Sequence, residues 1–291
     1  MCINIAEWHR FFSMAPVVLI TGSSAGGIGG SLVESFAAAG CIVYASARRM
    51  ESMDGLKDVG DIRKVQMDVD SDDSVSTAVK TILDTEGRID ILINNAGLLC
   101  VAPVLDVSLE TAEKTFQTNV FGVLRTQRAV VPHMAERKSG LVINVGSVTA
   151  IIPIPFGGIY AATKAAVRSI TEALYNECRP LGVNVMLIEP GGVRSNLATN
   201  TVQRYELPSN SLYKDYIDSI MARIYISQGH SSMKTDEFAD FVVKNSLGPK
   251  PARYLSIGDK STVMWILGLL PRSFSLWAIW RFAGRRNAPA T

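Results

Sequence analysis

The chain has 291 residues, 47% of them hydrophobic and 19% charged, with a formal net charge of +2. That is ample apolar material for a core, and the near-neutral balance excludes the basic footprint of a nucleic-acid binder. Four cysteines, Cys2, Cys41, Cys100 and Cys178, have no metal-ligand spacing, and a reduced intracellular thiol set is expected, with Cys41 and Cys178 in the core.

Glu7, His9 and Arg10 precede any apolar run, which is the wrong order for a signal peptide, so residues 1–15 read as an extension. Val17–Thr21 is a strand ending in glycines, and Ile28–Ala39 is a helix stopped by Gly40. Cys41–Ala47 and Val65–Val69 follow as strands, then a helix from Asp72 to about Thr85 capped by Ser71. Ile89–Ile93 is a strand leading into Asn94-Asn95-Ala96-Gly97. A long helix runs from about Leu109 to Glu136, with Pro132 a point of breakage. Leu141–Val145 is a strand, Phe156–Arg179 contains a helix, and Val183–Ile188 is a strand ending at Pro190-Gly191-Gly192. Apolar strands alternating with amphipathic helices imply an α/β fold, a Rossmann-like doubly wound parallel sheet in a single domain over residues 16–260.

Residues 194–234 break the alternation. Tyr205, Leu212, Tyr213, Tyr216, Ile217, Ile220, Met221 and Tyr225 suggest a helical insertion over the C-terminal edge of the sheet. The stripe reads either as a greasy pocket or as helix core. In the tail, residues 261–291, neither uncharged stretch reaches the ~20 residues of a spanning helix. Met264, Trp265, Leu269, Trp277, Ile279, Trp280 and Phe282, with Arg272, Arg281, Arg285 and Arg286, suggest an interfacial amphipathic anchor. The alternative is a segment packed on the domain or on a subunit partner.

Thr21-Gly22-Ser23-Ser24-Ala25-Gly26-Gly27-Ile28-Gly29 joins the first strand to the first helix. Glycines permit a tight turn and close approach of backbone N–H groups to a pyrophosphate at a helix N-terminus. No Gly-Lys-Ser/Thr follows, which disfavours a nucleotide triphosphatase. The second strand ends Ser46-Ala47-Arg48-Arg49, without the acid that an NAD ribose wants; arginine there favours a 2′-phosphate and hence NADP(H). Tyr160 and Lys164 are four apart, on one helix face. An ammonium near a phenol favours the phenolate, bringing a group that titrates near ~10 toward working pH as a general acid or base.

Taken with Asn119 in Asn-Val-Phe-Gly, Ser147 and Pro190-Gly191, these residues make the chain resemble the single-domain short-chain dehydrogenase/reductases over roughly residues 16–260. Within them it is similar to fungal NADPH-dependent 1-acyldihydroxyacetone phosphate reductases, through Val43-Tyr-Ala-Ser-Ala-Arg-Arg, Phe156-Gly-Gly-Ile-Tyr-Ala-Ala-Thr-Lys, Gly191-Gly-Val and the apolar tail; fungal reductases of secondary metabolism look similar too. The resemblance implies that Tyr160 protonates a carbonyl oxygen as hydride arrives, that Lys164 lowers its pKa and holds the nicotinamide ribose, and that Ser147 bonds the same carbonyl. Asn119 would hold a water in a proton path.

Gly22, Ser24, Gly27 and Ile28 would cradle the pyrophosphate, with Arg48 at the 2′-phosphate. Asn95, Ala96 and Gly97 would lie beside the cofactor, and Ile188, Pro190, Gly191 and Val193 at the nicotinamide. Asp68 and Val69 would lie by the adenine, though Asp68 equally suits a turn acid. The glycine loop is one residue longer than the family's, and Gly146 stands where serine is common before Ser147.

The expected activity is NADPH-dependent reduction of a ketone on an apolar or lipid-like substrate. The alternatives are a polyketide, terpenoid or steroid-like substrate, or a non-catalytic NADP-binding sensor or scaffold. No metal is expected, and His9, His133 and His230 form no metal or triad arrangement. The resemblance further implies a homo-oligomer, dimer or tetramer. An intracellular location follows, cytoplasmic or on endoplasmic reticulum or lipid droplets through residues 261–286.

Overall fold

The computed structural model describes residues 14–196, 205–229, 231–248 and 250–284. Cys2, His9, His230, Arg285, Arg286 and residues 1–13 lie outside the described residues.

Seven parallel strands form the sheet: β1 (Val17–Thr21), β2 (Ile42–Ala47), β3 (Asp61–Gln66), β4 (Ile91–Asn94), β5 (Leu141–Val145), β6 (Asn184–Pro190) and β7 (Tyr254–Ile257), in the order β3-β2-β1-β4-β5-β6-β7. Strand alternation sends Val18 and Ile20 to one face and Val17 and Leu19 to the other. On the first face α1 (Ile28–Ala38) places Leu32, Val33 and Phe36, and α7 (Thr235–Ser246) adds Phe238 and Val242. On the second lie α2 (Asp72–Glu86), with Val79 and Ile82, and the long helix, with Val130 and Met134. Burial of each such side chain is worth about 1.5–3 kcal/mol, so these two apolar layers are the main source of stability.

The long helix spans the anticipated residues. It runs as α3 (Leu109–Phe116), a π-turn (Gln117–Phe121) and α4 (Gly122–Glu136), and Pro132 sits within α4 without ending it. α5 (Gly158–Cys178) lies in the anticipated segment, and Cys41, Cys100 and Cys178 are buried free thiols.

The third strand lies earlier than Val65–Val69. β3 is an edge strand with a largely exposed face, paired Ile42↔Asp61 to Ala47↔Gln66, so it carries no continuous apolar run. Met67 and Val69, which suggested a strand, are buried in the turn that follows it. α7 and β7 complete the sheet beyond the irregular segment, where four strand residues and no glycine loop left little pattern to read.

Within residues 194–234, a 3-10 turn (Lys214–Tyr216) leads into α6 (Ile217–Ile224). Residues 197–204 are outside the described residues. Phe156, Ile220, Ile224 and Val101 form a separate apolar cluster, with Tyr205, Tyr213, Tyr216 and Met221 against it. Most of the stripe is therefore core for its own layer, whereas Leu212 and Tyr225 are exposed.

The tail forms α8 (Ser261–Leu269) and α9 (Arg272–Ala283). Met264 and Ile279, expected on a membrane-facing side, instead pack inward on Val148 and Ile152. The small Ser275 and Ala278 also face inward, while Trp265, Phe274, Trp277, Trp280 and Phe282 are exposed. No described helix is long and apolar enough to cross a membrane.

Candidate active site

All seven strands are parallel, so their C-terminal ends share one edge, and strand order reverses between β1 and β4. A crevice opens at such a switch point. The glycine loop after β1 and the Asn95–Gly97 segment after β4 are fastened together there. Asn95 N and Ala96 N donate to Thr21 Oγ1 at 3.0 and 2.9 Å. Asn95 Nδ2 donates to the carbonyls of Thr21 and Gly22, so its side chain braces the loop.

Within the loop Gly22 and Gly26 take φ +69° and +73°, in the left-handed region that favours glycine. A Cβ at Gly29 would lie 2.2 Å from the Gly22 carbonyl oxygen, so a side chain there would break the turn. The turn ends at Gly27, the N-cap of α1. α1 differs from its neighbours in that α2 is capped by Ser71 and opens with Asp72 and Asp73, and α3 is capped by Ser108. α1 has no side-chain cap and no acid in its first turn, so its orphan N–H groups and positive end suit a phosphate.

Ser24 and Ile28 belong to this cradle. Ala25 N donates to Ser52 O, which draws the turn following Arg48 and Arg49 alongside; both arginines are exposed. These residues fit a pyrophosphate with an added 2′-phosphate.

Asp68 serves its own turn: Oδ1 accepts Asp70 N at 3.1 Å. Val69 is buried against Gly122, where a Cβ would meet Val69 Cγ2 at 2.9 Å. At the end of β6, Pro190 and Ile188 are buried, and Gly191 and Gly192 run close to the Gly258–Asp259 turn. A Cβ on Gly191 would lie 2.2 Å from Asp259 O, so the glycine serves that backbone approach. Val193 is buried and bridges to Met233.

The catalytic-type residues converge on this edge. Lys164 is buried, its Nζ donating to Val145 O at 2.8 Å and lying 5.7 Å from the centre of the Tyr160 ring. Burial pushes the Lys164 ammonium down to about 8. Burial also pushes the Tyr160 phenol upward, opposed by the charge of Arg223 and by a hydrogen bond from Ser147. Lys164 Nζ is engaged with the Val145 carbonyl, and the charge that opposes the upward push on Tyr160 is that of Arg223.

Ser147 Oγ accepts from Thr149 N and Thr149 Oγ1 at 3.2 and 3.0 Å. Its single proton is then the one that faces the Tyr160 phenol.

Asn119 sits in the π-turn, a distortion that recurs at functional sites. Its Oδ1 accepts Leu98 N at 2.7 Å. Its Nδ2 donates to Leu98 O and to Thr163 Oγ1 at 2.9 and 3.0 Å, so both side-chain donors go to protein. The side chain thus ties the segment after β4 to the helix carrying Tyr160 and Lys164. Gly97 fits beneath: a Cβ there would lie 3.3 Å from Asn119 Oδ1 and 3.8 Å from Lys164 Nζ.

Behind the site runs a buried amide network not anticipated from the sequence. Asn94 Nδ2 donates to Asn144 Oδ1 at 2.8 Å, as does Gln127 Nε2 at 3.1 Å. Thr126 Oγ1 donates to Asn94 Oδ1 at 2.6 Å, and Asn144 Nδ2 to Thr171 Oγ1 at 2.9 Å. It locks β4 and β5 to α4 and α5. Asn144 interrupting an apolar strand was its one visible sign. Arg223 was missed as well. Its sign was a cation three residues after Ile220, on the apolar face of α6.

A model of the family described as short chain dehydrogenase matches residues 16–206. A protein of Schizosaccharomyces pombe named NADPH-dependent 1-acyldihydroxyacetone phosphate reductase is 34% identical over 79% of this chain and 78% of its own. The short-chain dehydrogenase ptmH of Penicillium ochrochloron is 33% identical over 88% of this chain and 93% of its own. The crystal structure of a short-chain dehydrogenase from Streptomyces avermitilis superposes with a TM-score of 0.77 at 28% identity, covering 93% of this chain and 97% of that one. The chain belongs to the short chain dehydrogenase family, and is an oxidoreductase of the Rossmann-like type.

Proposed function

We propose that the chain is an NADPH-dependent reductase that converts a ketone on an apolar or lipid-like substrate to a secondary alcohol, in the manner named for its Schizosaccharomyces pombe relative. The observation that carries this is the meeting of Tyr160, Ser147 and Lys164 at one sheet edge, beside the apolar wall of Phe156 and Ile220. Gly22, Ser24, Gly27 and Ile28 hold the pyrophosphate and Arg48 the 2′-phosphate. Asn95, Ala96, Gly97, Lys164, Pro190, Gly191 and Val193 border the nicotinamide side, and Asp68 and Val69 the adenine. NADPH, when bound, supplies the hydride.

Tyr160 carries its proton at neutral pH, as a phenol does, and stands where it can donate it to a developing alkoxide. With substrate bound, Ser147 turns its proton to the same oxygen as charge grows on it, and Lys164 returns a proton to Tyr160, itself recharged from bulk through a water beside Asn119. The test is NADPH oxidation with a panel of long-chain ketones, wild type against Tyr160→Phe. Turnover by wild type and a ~10²–10⁴-fold loss of kcat in the variant are expected. NADPH binding without turnover of any ketone would mark a sensor and overturn the reading.

The exposed apolar surface of α8 and α9 supports peripheral association with endoplasmic reticulum or lipid droplets. Deletion after Lys260 should abolish binding to liposomes, and unchanged partitioning would refute it. Exposed Leu109 and Phe121 on the long helix support a homo-oligomer, which sedimentation of a monomer would exclude.

A further inference from the structure

Arg223 is 7% exposed, on the short helix that covers the cleft, and its Nε has no hydrogen-bond partner. Among the described residues no carboxylate pairs with it, and the group whose charge it feels is Tyr160. A buried guanidinium without a counter-ion is costly, because the desolvation of its charge is not offset.

Its position sharpens the problem. Nε and Nη2 would lie 3.2 Å from a Cβ at Gly157, so the glycine makes room for the guanidinium. Gly157 is the N-cap of α5, a 21-residue helix with no side-chain cap and no acid in its first turn. A helix N-terminus is positive and repels a cation. Two sources of positive potential therefore meet, unneutralised, within a turn of Tyr160. The phenol itself feels the guanidinium. Around them are Phe156, Ile220 and Tyr216, which offer no negative group.

The geometry points to Arg223 as the residue that receives an anionic group of the substrate, a phosphate or carboxylate carried within a few bonds of the reacting carbonyl. This rests on the ketone-reductase reading, whose Schizosaccharomyces pombe relative is named for a phosphate ester, and adds the residue that takes such a charge: an anionic amphiphile sets its oxyanion at Arg223 and its chain along the partly buried Tyr205, Tyr213 and Tyr216. A planar fork of donors matches either oxyanion, and only a group close to the carbonyl can reach both Arg223 and Tyr160.

The experiment compares matched ketones with the full chain and NADPH: 1-palmitoyl-dihydroxyacetone with its phosphate ester, and a long-chain 3-oxo acid with its methyl ester. Wild type should prefer one anionic member in kcat/KM. Arg223→Met should cut that preference ~10- to 100-fold, and Arg223→Lys should restore part of it. Whichever pair responds identifies the oxyanion.

Binding of 1-palmitoylglycerol phosphate against 1-palmitoylglycerol to the NADP+-loaded protein gives a second readout. Phosphate-dependent binding that Arg223→Met removes supports the proposal even if no ketone is reduced, in which case only the reductase reading falls. Ketone reduction with no anion preference overturns the proposal and leaves the reductase reading intact. A proportional loss on charged and neutral ketones with a displaced pH profile also overturns it, because Arg223 would then act through Tyr160. An equal loss of NADPH affinity overturns it too, by making the cofactor its ligand.

Discussion

Along β1 every residue from Val17 to Thr21 is buried, the large aliphatic groups filling both faces of the sheet. Along α9 the arrangement is reversed: Ser275 and Ala278 lie inside, and Trp277, Trp280 and Phe282 lie outside. The sheet is ordered by removing apolar area from water. α9 is held by a few anchors: Ile279 in the Val148 cluster, Arg272 Nη1 on Ile151 O at 2.8 Å, and Trp280 against Tyr216 with ring centres 5.9 Å apart. The tail thus leaves its large apolar groups in water, whereas the sheet faces bury theirs.

That contrast can be broken in graded ways. The largest effect falls on the sheet edge. Gly29→Ala drives a Cβ into the Gly22 carbonyl and should abolish NADPH binding, measured by fluorescence titration; retained affinity would show that the loop can shift.

Met264→Ala, an inward tail residue, should lower stability by about 2 kcal/mol in denaturant melts. A neutral result would mean the tail contributes nothing to the fold.

Lys164→Met should do the reverse, removing the buried charge and raising stability by about 2 kcal/mol near pH 7 while eliminating turnover. The sign follows from burial: with its pKa at about 8, folded Lys164 binds fewer protons than the unfolded chain above that pH, so wild-type stability gains as pH rises from about 8 toward 10.5. The advantage of the variant should shrink over that range. Wild-type reduction should decline above about pH 8 as the ammonium loses its proton. A stability gap constant from pH 7 to 10 would remove burial as the cause.

The smallest change in stability, within about 0.5 kcal/mol, is expected for Trp277→Ala, although its liposome partitioning should fall several-fold.

The strands flanked by helices on both faces were legible because continuous apolar runs have one physical reading, and β1 and β5 begin and end where those runs do. β3 was displaced because at the sheet edge both its faces stay partly open to water, and its apolar neighbours Met67 and Val69 fill the turn. Tyr160, Lys164 and Ser147 were legible from spacing, yet the source of positive charge on the phenol was not. Electrostatic influence depends on which helix folds over the cleft, and the spacing of Arg223 from Tyr160 along the chain carries no trace of it. The inward turn of Met264 and Ile279 was hidden for a related reason. In a helix as uniformly apolar as α8, residue type does not distinguish the side that docks from the side that faces water.

The Asn94–Asn144 amides bear on how this scaffold can vary. Each group satisfies another across two strands and two helices, so replacing any one strands a donor or acceptor in a dry interior, at about 1–3 kcal/mol. Positions 94, 126, 127, 144 and 171 should therefore change together or stay as they are. A library that randomises them one at a time would return almost only losses, and viable alternatives would surface as combinations.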